Sequence, residues 1–413
     1  MKVVFIQPSF KNIWEPLGVA YISTFIKKNY LDELDVKFYH GNFDSENDII
    51  YNCKDADIVA FSCTTPTFKS GINLAKKIKM HNDKCKIVFG GWHPTAIGTS
   101  LELEYSDIID NIIVGEGELP FLDLLNNIDR EIYHSLEFNV LGWPDRELIK
   151  QDRTLDLCEN MCGERIASFQ SRRGCPMSCI FCAEKCMTGG FPIRVRDVND
   201  LLDEIEFVDN KYKITKFKFV DPTWSFPKSA VYDFCLTKIN RGIKIPFEGM
   251  IHASFIEKEM LEIAKEAGCN QLNVGVESGS QKLLNDMKKG TTIEKIKKVF
   301  AWGKEFGINM RGFFILGMPN ETTESINQTR QLIKDISPDV FGMTLLTPFP
   351  GSNLYSNKYK NIDWSNCDEY SNDFYYSKNF TNQQLKDIQK SLNSEFSNIL
   401  VSHQRGKVCM EKN

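Results

Sequence analysis

Three cysteines near the middle of the chain have the type and spacing that could hold a metal cluster. Cys175, Cys179 and Cys182 lie within eight residues in the pattern C-x3-C-x2-C. Thiolates this close on one loop can converge on a soft metal, and three of them suit an iron–sulfur cluster. A structural zinc site usually draws four ligands from two separated C-x2-C pairs, and the chain has no second pair. A cluster on three cysteines leaves one iron open to a ligand, whereas the plainer interpretation is a loop of buried thiols.

Three other cysteines lie close enough in the sequence to be considered as metal ligands. Cys186 follows Cys182 by one helical turn, and a fourth cysteine ligand would close the open iron, so Cys186 is interpreted as a plain thiol. Cys158 and Cys162 form a C-x3-C pair upstream. They are either two plain thiols or a pair of which one lies near the cluster.

The composition sets the class of protein. A chain of 413 residues has room for two or three domains with large cores. The formal net charge is −5 and no long basic run occurs, so nucleic-acid binding is not expected. No apolar run reaches membrane-spanning length, and the first residues turn polar too soon for a signal peptide. We therefore expect a cytoplasmic protein with reduced thiols, whose cluster would suit an anaerobic host.

The first part of the chain alternates short apolar runs with helical patterns, which predicts a doubly wound, Rossmann-like parallel sheet. Ligands of such sheets bind at the carboxyl ends of the strands, where small and hydroxylated residues follow the third, fourth and fifth predicted strands. The five strands are predicted at residues 3–6, 35–39, 58–62, 86–90 and 111–114, and helices at 17–27, 68–80 and 119–126.

The second part repeats the alternation with longer helices. Six strand–helix units predict an open, partial (β/α)6 barrel, whose chemistry belongs at the carboxyl ends of its strands. The cysteine loop follows the first of these strands, at residues 166–170. The other strands are predicted at residues 216–220, 246–251, 271–276, 309–316 and 340–345.

These patterns divide the α/β chain into four segments. We predict a Rossmann-like domain at 1–135, a linker without steady period at 136–165 and the partial barrel at 166–355. A small, mainly helical tail at 356–413, with a helix at 382–400, is expected to cap the substrate site.

The motifs resemble those of radical S-adenosylmethionine (SAM) enzymes that carry an N-terminal cobalamin-binding domain. The Gly174-Cys175-Pro176 stretch and Phe181, just before the last cysteine, match the cluster loop of that superfamily. The GG-x-HP-T stretch at 90–95 and the VGEGE stretch at 114–118 match the cobalamin domain. One departure is clear: the lower-ligand pattern D-x-H-x-x-G is absent, and His40-Gly41 lacks its spacing.

The resemblance implies three cofactors: a [4Fe–4S] cluster, SAM and cobalamin. Cys175, Cys179 and Cys182 would hold the cluster. The sequence does not indicate which residue would act as a catalytic acid, base or hydrogen donor. Cobalamin would lack a histidine ligand from the usual loop, and His93 can also be read as a structural loop residue. Glu277 and Arg311 can equally be read as members of structural ion pairs. The implied SAM contacts are Phe181, Asp221, Gly275, Glu277, Ser278 and Arg311, and the implied cobalamin contacts are Ser62, Thr64, Thr65, Gly90, Gly91, His93, Gly115, Glu116 and Gly117.

The activity that the resemblance implies is C-methylation of an unactivated carbon through a 5′-deoxyadenosyl radical. A flavodoxin or ferredoxin would donate the electron, and the substrate would be a small molecule or a peptide. The first alternative is a radical SAM enzyme that epimerises, cyclises, dehydrates or rearranges its substrate, with a cobalamin domain that is vestigial or carries no methyl group. The others are a methylthiotransferase and a cobalamin or iron–sulfur sensor. The methylthiotransferase is disfavoured because its second cluster needs three upstream cysteines, and residues 1–150 offer only scattered ones.

Overall fold

In a computed structural model, which describes residues 1–368 and 370–401, the chain forms two compact units. The first consists of Met1–Thr154, Ala183–Pro192 and Phe349–Asn366, and the second of the intervening segments with the tail. The predicted domain boundaries stay predictions, and the predicted tail extends past residue 401, outside the described residues. No helix among the described residues is both long and apolar enough to cross a bilayer.

The first unit is built on a parallel five-stranded sheet in the order β2-β1-β3-β4-β5. Alternate residues of its strands are buried on opposite faces: Val4, Ile6, Val59 and Phe61 pack in one core, and Val3, Phe5, Ile58 and Ala60 in the other. Burial on both faces is what the continuous apolar runs require, and the doubly wound prediction is confirmed. The strands are β1 (Lys2–Gln7), β2 (Asp35–His40), β3 (Ile58–Ser62), β4 (Lys86–Gly90) and β5 (Asn111–Ile112).

The helix that follows β3 begins at a capping box. Thr64 and Thr67 form this reciprocal box, and Pro66 occupies the first turn of the helix. The helices are α1 (Leu17–Asn29), α2 (Glu46–Asn52), α3 (Thr65–His81), α4 (Trp92–Ile97), α5 (Ser100–Glu104), α6 (Glu118–Leu125), α7 (Phe138–Leu141) and α8 (Gln151–Cys162). The segment 136–165, predicted as a linker without steady period, contains α8, a helix of 12 residues that buries Leu155.

The second unit holds a parallel seven-stranded sheet in the order β14-β13-β12-β11-β10-β9-β6. Six of these strands run in sequence order from β6 to β13, as the partial-barrel prediction requires, and that prediction is confirmed. They are β6 (Ile166–Phe169), β9 (Lys216–Phe219), β10 (Phe247–Ile251), β11 (Cys269–Glu277), β12 (Asn309–Leu316) and β13 (Val340–Leu345).

Two short strands, β7 (Arg172–Arg173) and β8 (Arg194–Val195), pair antiparallel and close the base of the cysteine loop. The tail adds β14 (Leu400–Val401) beside β13. The helix predicted at 382–400 is shorter than expected and ends at Glu395. The helices of this part are α9 (Glu184–Met187), α10 (Val198–Tyr212), α11 (Lys228–Asn240), α12 (Lys258–Glu266), α13 (Gln281–Asp286), α14 (Ile293–Glu305), α15 (Thr323–Ile336) and α16 (Asn382–Glu395).

Candidate active site

The cysteine loop leaves β7 through Gly174, whose φ of +95° favours glycine. Cys175 and Cys179 are half-buried and Cys182 is exposed. The Cys182 amide donates to the Cys179 carbonyl at 3.2 Å, and the Ile180 amide donates to the Met287 carbonyl at 3.0 Å. The loop is therefore folded on itself and attached to the turn after α13.

The three thiols share one electrostatic environment. Burial raises the pKa of Cys179, Lys289 opposes that rise, and Glu277 and Cys175 add to it. As the side chains stand, no three histidine, cysteine or carboxylate groups among the described residues are gathered closely enough to hold a metal ion. The donor chemistry nevertheless fits a cluster: three thiols lie on one partly open loop, beside the buried cation of Lys289.

Lys289 and Glu277 form a buried ion pair next to this loop. The Lys289 ammonium lies 2.7 Å from Glu277 Oε1, and each side chain is only 8% exposed. Burial alone would lower the pKa of Lys289, but Glu277 and the thiols of Cys179 and Cys182 raise it above its ordinary value. The cation therefore stays charged beneath the cysteine loop.

The carboxyl end of β11 is shaped around that pair. The β11–β12 register shifts between Gly275 and Glu277, and Glu277 has a φ of +65°. A Cβ on Gly275 would lie 2.5 Å from Glu277 Oε1 and 2.6 Å from Lys289 Nζ. Gly275 therefore provides the space that the ion pair occupies.

Asp221, predicted to contact SAM, is directed at the backbone before the cysteines. Its Oδ1 accepts hydrogen bonds from the Ser171 amide at 2.8 Å and the Arg172 amide at 3.2 Å, and Arg172 Nε lies 3.5 Å from Oδ2. Burial raises the pKa of Asp221, although Arg172 and Ser171 oppose the rise. In this arrangement Asp221 fixes the strand end that leads to Cys175.

The remaining predicted SAM residues differ in their surroundings. Ser278 is fully buried and accepts from the Ser280 amide at 3.1 Å, at the start of α13. Arg311 lies over the Phe313 ring at 4.5 Å, its Nε is buried without a partner, and it makes no ion pair within the described residues. Phe181 is half-buried. The structural ion pair considered for Glu277 is present, whereas the one considered for Arg311 is not found among residues 1–368 and 370–401.

In the first unit, the loops after β3, β4 and β5 are tied to one another at the carboxyl edge of the sheet. The Cys63 amide donates to the Gly90 carbonyl at 2.9 Å, and the His93 amide donates to the Cys63 carbonyl at 3.2 Å. The Gly115 amide donates to Thr95 Oγ1 at 3.0 Å. This edge brings together the predicted cobalamin residues, and it is partly open at Ser62, Thr64, Gly90, Gly91, Gly115, Glu116 and Gly117.

Gly91 makes the closest backbone approach at this edge. Its φ is +95°, and a Cβ there would lie 2.8 Å from the Cys63 carbonyl oxygen. No side chain therefore fits between the two loops, whose backbones meet directly at this edge. The small and hydroxylated residues along the edge suit a large flat ligand such as a corrin.

Both histidines considered in the sequence are buried and neutral. Burial lowers the pKa of His93 to about 4, and its Nδ1 lies 3.2 Å from the Thr65 hydroxyl. Burial likewise lowers the pKa of His40 to about 4. Because His40 Nδ1 accepts from the Asn42 amide at 3.1 Å, the ring proton resides on Nε2, which presents no lone pair to a metal.

Two contributions were missing from the sequence predictions. Lys289 lies in a lysine pair without periodicity, 12 residues after Glu277, and only the fold pairs the two. The segment Ala183–Pro192 belongs to the first unit, where Cys186 Sγ lies 3.8 Å from the Thr95 carbonyl. Neither contact has a local signal in the sequence.

Comparison with known proteins gives two family matches. The sequence model described as the radical SAM superfamily matches residues 170–333, and the one described as the B12 binding domain matches residues 4–125. These matches confirm the predicted order of the two domain types. They also confirm the predicted cofactor set of a [4Fe–4S] cluster, SAM and cobalamin.

Individual relatives have low sequence identity to this chain, but they align over most of its length. An uncharacterized methyltransferase of Pyrococcus horikoshii is 27% identical over 364 residues, covering 82% of this chain and 77% of its own. The anaerobic magnesium-protoporphyrin IX monomethyl ester cyclase of Rubrivivax gelatinosus is 25% identical over 408 residues, covering 90% of this chain and 72% of its own. The structure of the radical SAM methyltransferase TsrM from Kitasatospora setae, with cobalamin and a [4Fe–4S] cluster bound, superposes with a TM-score of 0.71 at 15% identity, covering 86% and 76% of the two chains.

Proposed function

We propose a function from the premise that this chain belongs to the radical SAM superfamily and carries a B12-binding domain ahead of its radical SAM domain. The protein is a cobalamin-dependent radical SAM C-methyltransferase that acts on an unactivated carbon. One observation carries this proposal: a single chain has both kinds of site. The three-cysteine loop lies beside the buried Lys289–Glu277 pair, and the sheet edge around Gly91 carries small residues. The Pyrococcus relative, which is named a methyltransferase, aligns with 82% of this chain.

The residues of the second unit divide the work of holding the cluster and SAM. Cys175, Cys179 and Cys182 would ligate three irons, and the ammonium of Lys289 would offset the negative charge of the thiolates. Asp221 holds the strand end before Cys175, and Glu277 would accept hydrogen bonds from the SAM ribose. When bound, the cluster, SAM and cobalamin would together supply a carbon-centred radical and a methyl group.

The residues of the first unit would hold cobalamin through the backbone and hydroxyl groups of the loops after its strands. Gly91 and its neighbouring loops present backbone and hydroxyl groups at the carboxyl edge of the sheet, where doubly wound folds bind their ligands. The His93 ring is held by the Thr65 hydroxyl and by contact with Phe68, at 4.4 Å between ring centroids. It would therefore fix the shape of the loop that contacts cobalamin.

A second candidate function is a radical SAM reaction without methyl transfer. The observation that favours it is the Rubrivivax cyclase, which aligns over 90% of this chain. The same cofactors would then serve ring formation or rearrangement, and no methyl group would appear in the product.

The reaction needs a reductant and a substrate. We propose a flavodoxin or ferredoxin as the electron donor and a small molecule or peptide as the substrate. We place the enzyme in the cytoplasm, where the cysteine thiols stay reduced.

The test is anaerobic reconstitution of the full chain with iron, sulfide and cobalamin, followed by reduction in the presence of SAM carrying a deuterated methyl group. We expect 5′-deoxyadenosine from the intact protein and none from Cys182→Ala. Transfer of deuterated methyl to a product separates methylation from the cyclase-type alternative. A reconstituted cluster that never cleaves SAM under a strong reductant would rule out both.

A further inference from the structure

The C-x3-C pair of α8 takes no part in the site described above. Cys158 and Cys162 lie four residues apart in the last turns of the helix, where positions i and i+4 share one face. Their sulfur atoms are 3.6 Å apart, and Cys162 Sγ donates to the Cys158 carbonyl at 3.1 Å. The two thiols therefore point into the same small volume.

The pair is separate from the three-cysteine loop. α8 ends just before the first residue of β6, whereas the cysteine loop follows the last residue of that strand. Four residues of strand span about 13 Å, so the two sets of thiols lie at opposite ends of β6. The structure does not bring either of these cysteines to the cluster residues.

The local surroundings leave the pair accessible. Cys162 is exposed and Cys158 is half-buried. A cation that enters from the solvent side can therefore reach both sulfur atoms.

The sulfur–sulfur distance suits two ligands of one metal ion. Two thiolates bound to one tetrahedral zinc, each at about 2.3 Å, are about 3.8 Å apart. The observed 3.6 Å is close to the chelate distance. Ligands at i and i+4 of a helix also hold zinc in the H-E-x-x-H motif.

We propose that Cys158 and Cys162 form a second metal site, a helical dithiolate chelate for a thiophilic divalent cation such as zinc. Binding replaces the two thiol protons, which pass to solvent, with two metal–sulfur bonds, and no electron is transferred. Within residues 1–368 and 370–401, no third histidine, cysteine or carboxylate completes the set, so solvent fills the remaining positions. The bound ion would join the last two turns of α8, directly ahead of β6.

Cadmium titration of the full chain tests this site. The protein is first reconstituted with its cluster and freed of excess iron, and Cd²⁺ is then added anaerobically while the near-ultraviolet thiolate-to-cadmium band and the visible cluster spectrum are recorded. We expect about one equivalent of Cd²⁺ to produce the band with an unchanged cluster spectrum. Cys158→Ser and Cys162→Ser should lose the band, and Cys186→Ser, a half-buried thiol elsewhere, should keep it.

A second readout uses the unmodified chain, so a folding defect in a serine variant cannot decide the result. Iodoacetamide labelling followed by peptide mapping should show that Cd²⁺ protects Cys158 and Cys162 together. A missing band in the wild type, or a band that survives in both serine variants, would overturn the proposal. Neither readout depends on SAM cleavage or methyl transfer.

Discussion

At the scale of single residues, Lys289 connects the cysteine loop to the β11 strand end. Its ammonium bonds to Glu277 at 2.7 Å, and its carbonyl accepts from His252 Nε2, also at 2.7 Å. The neighbouring Gly290 carbonyl accepts from the Ser254 hydroxyl. The side chain and backbone of this turn are thus both fixed, which places one positive charge at a constant position under the thiols.

Replacing Lys289 with methionine should strongly destabilise the protein. The change leaves the Glu277 carboxylate buried without its counter-ion, and breaking a buried pair in this way costs about 3–5 kcal/mol. Chemical denaturation of the second unit measures the loss. Lys297→Met is the matched control, because its partner Asp335 lies at 2.6 Å on the exposed surface, where a pair contributes about 0–1 kcal/mol. Equal losses in the two variants would contradict the buried-pair interpretation.

The sequence predicts the three cysteines and Glu277 as site residues, but it could not show what Glu277 or Asp221 touches. Motif spacing predicts that a carboxylate stands at a strand end, because strand ends follow from periodicity. The partner of that carboxylate depends on contacts between distant residues. Glu277 and Lys289 are 12 positions apart, and Asp221 and Ser171 are 50 positions apart. Such contacts are set by tertiary packing and leave no local pattern.

At the scale of elements, the edge of the first sheet depends on glycine at both ends of α4. Gly91 caps its start and Gly98 its end, with φ values of +95° and +80°. The two positions carry similar backbone strain but differ in space. A Cβ on Gly91 would meet the Cys63 backbone, whereas one on Gly98 would meet nothing within 4 Å.

Gly91→Ala should therefore impair cobalamin binding far more than Gly98→Ala. Both variants place alanine in a positive-φ region that is essentially reserved for glycine, at a cost of about 1–3 kcal/mol, and only Gly91→Ala must also separate the loops after β3 and β4. The measurement is the dissociation constant for cobalamin, followed by its visible spectrum, with thermal stability recorded in parallel. If the two alanine variants bind alike, the close approach to Cys63 is irrelevant to the cofactor.

The turn after β12 makes stability depend on pH through one carboxyl group. Glu321 Oε2 accepts from the Gly317 amide at 2.5 Å and from the Met318 amide at 3.3 Å, and burial raises the pKa of Glu321 to about 7. An unfolded glutamate titrates with a pKa near 4.3, so the folded state retains the proton between these values. Stability should therefore fall by about 3 kcal/mol as pH rises from about 4 to 7, and level off above.

Glu321→Gln should remove that slope while keeping an acceptor for the two amides. Denaturation midpoints between pH 4 and 8 provide the test, with the exposed Glu305→Gln as control. A slope that persists in Glu321→Gln would have to come from another group, and the assignment to this turn would be wrong.

Over the whole molecule, the order of helices and strands was largely predictable from the sequence. The assignment of two segments to the first compact unit was not. The strands at Ile58–Ser62 and Lys86–Gly90 coincide with apolar runs in the sequence, since buried parallel strands need such runs. α8 was missed because its helical pattern is weak outside the buried Leu155. Ala183–Pro192 and Phe349–Asn366 belong to the first unit although the residues on both sides of each belong to the second, which no composition or period indicates.

The second of these segments should contribute to the stability of the first unit. Trp364 is 8% exposed, its ring stacks on Phe349 with centroids 5.6 Å apart, and its 3₁₀ turn, Trp364–Asn366, packs on α3. Removing such a ring costs about 3–5 kcal/mol. Trp364→Ala should therefore destabilise the first unit and weaken cobalamin binding, while iron and sulfide content remain at the wild-type level. Tyr51→Ala, an exposed aromatic of α2, should change stability by no more than about 0.5 kcal/mol. If Trp364→Ala lost the cluster and kept cobalamin, Phe349–Asn366 would have to support the second unit.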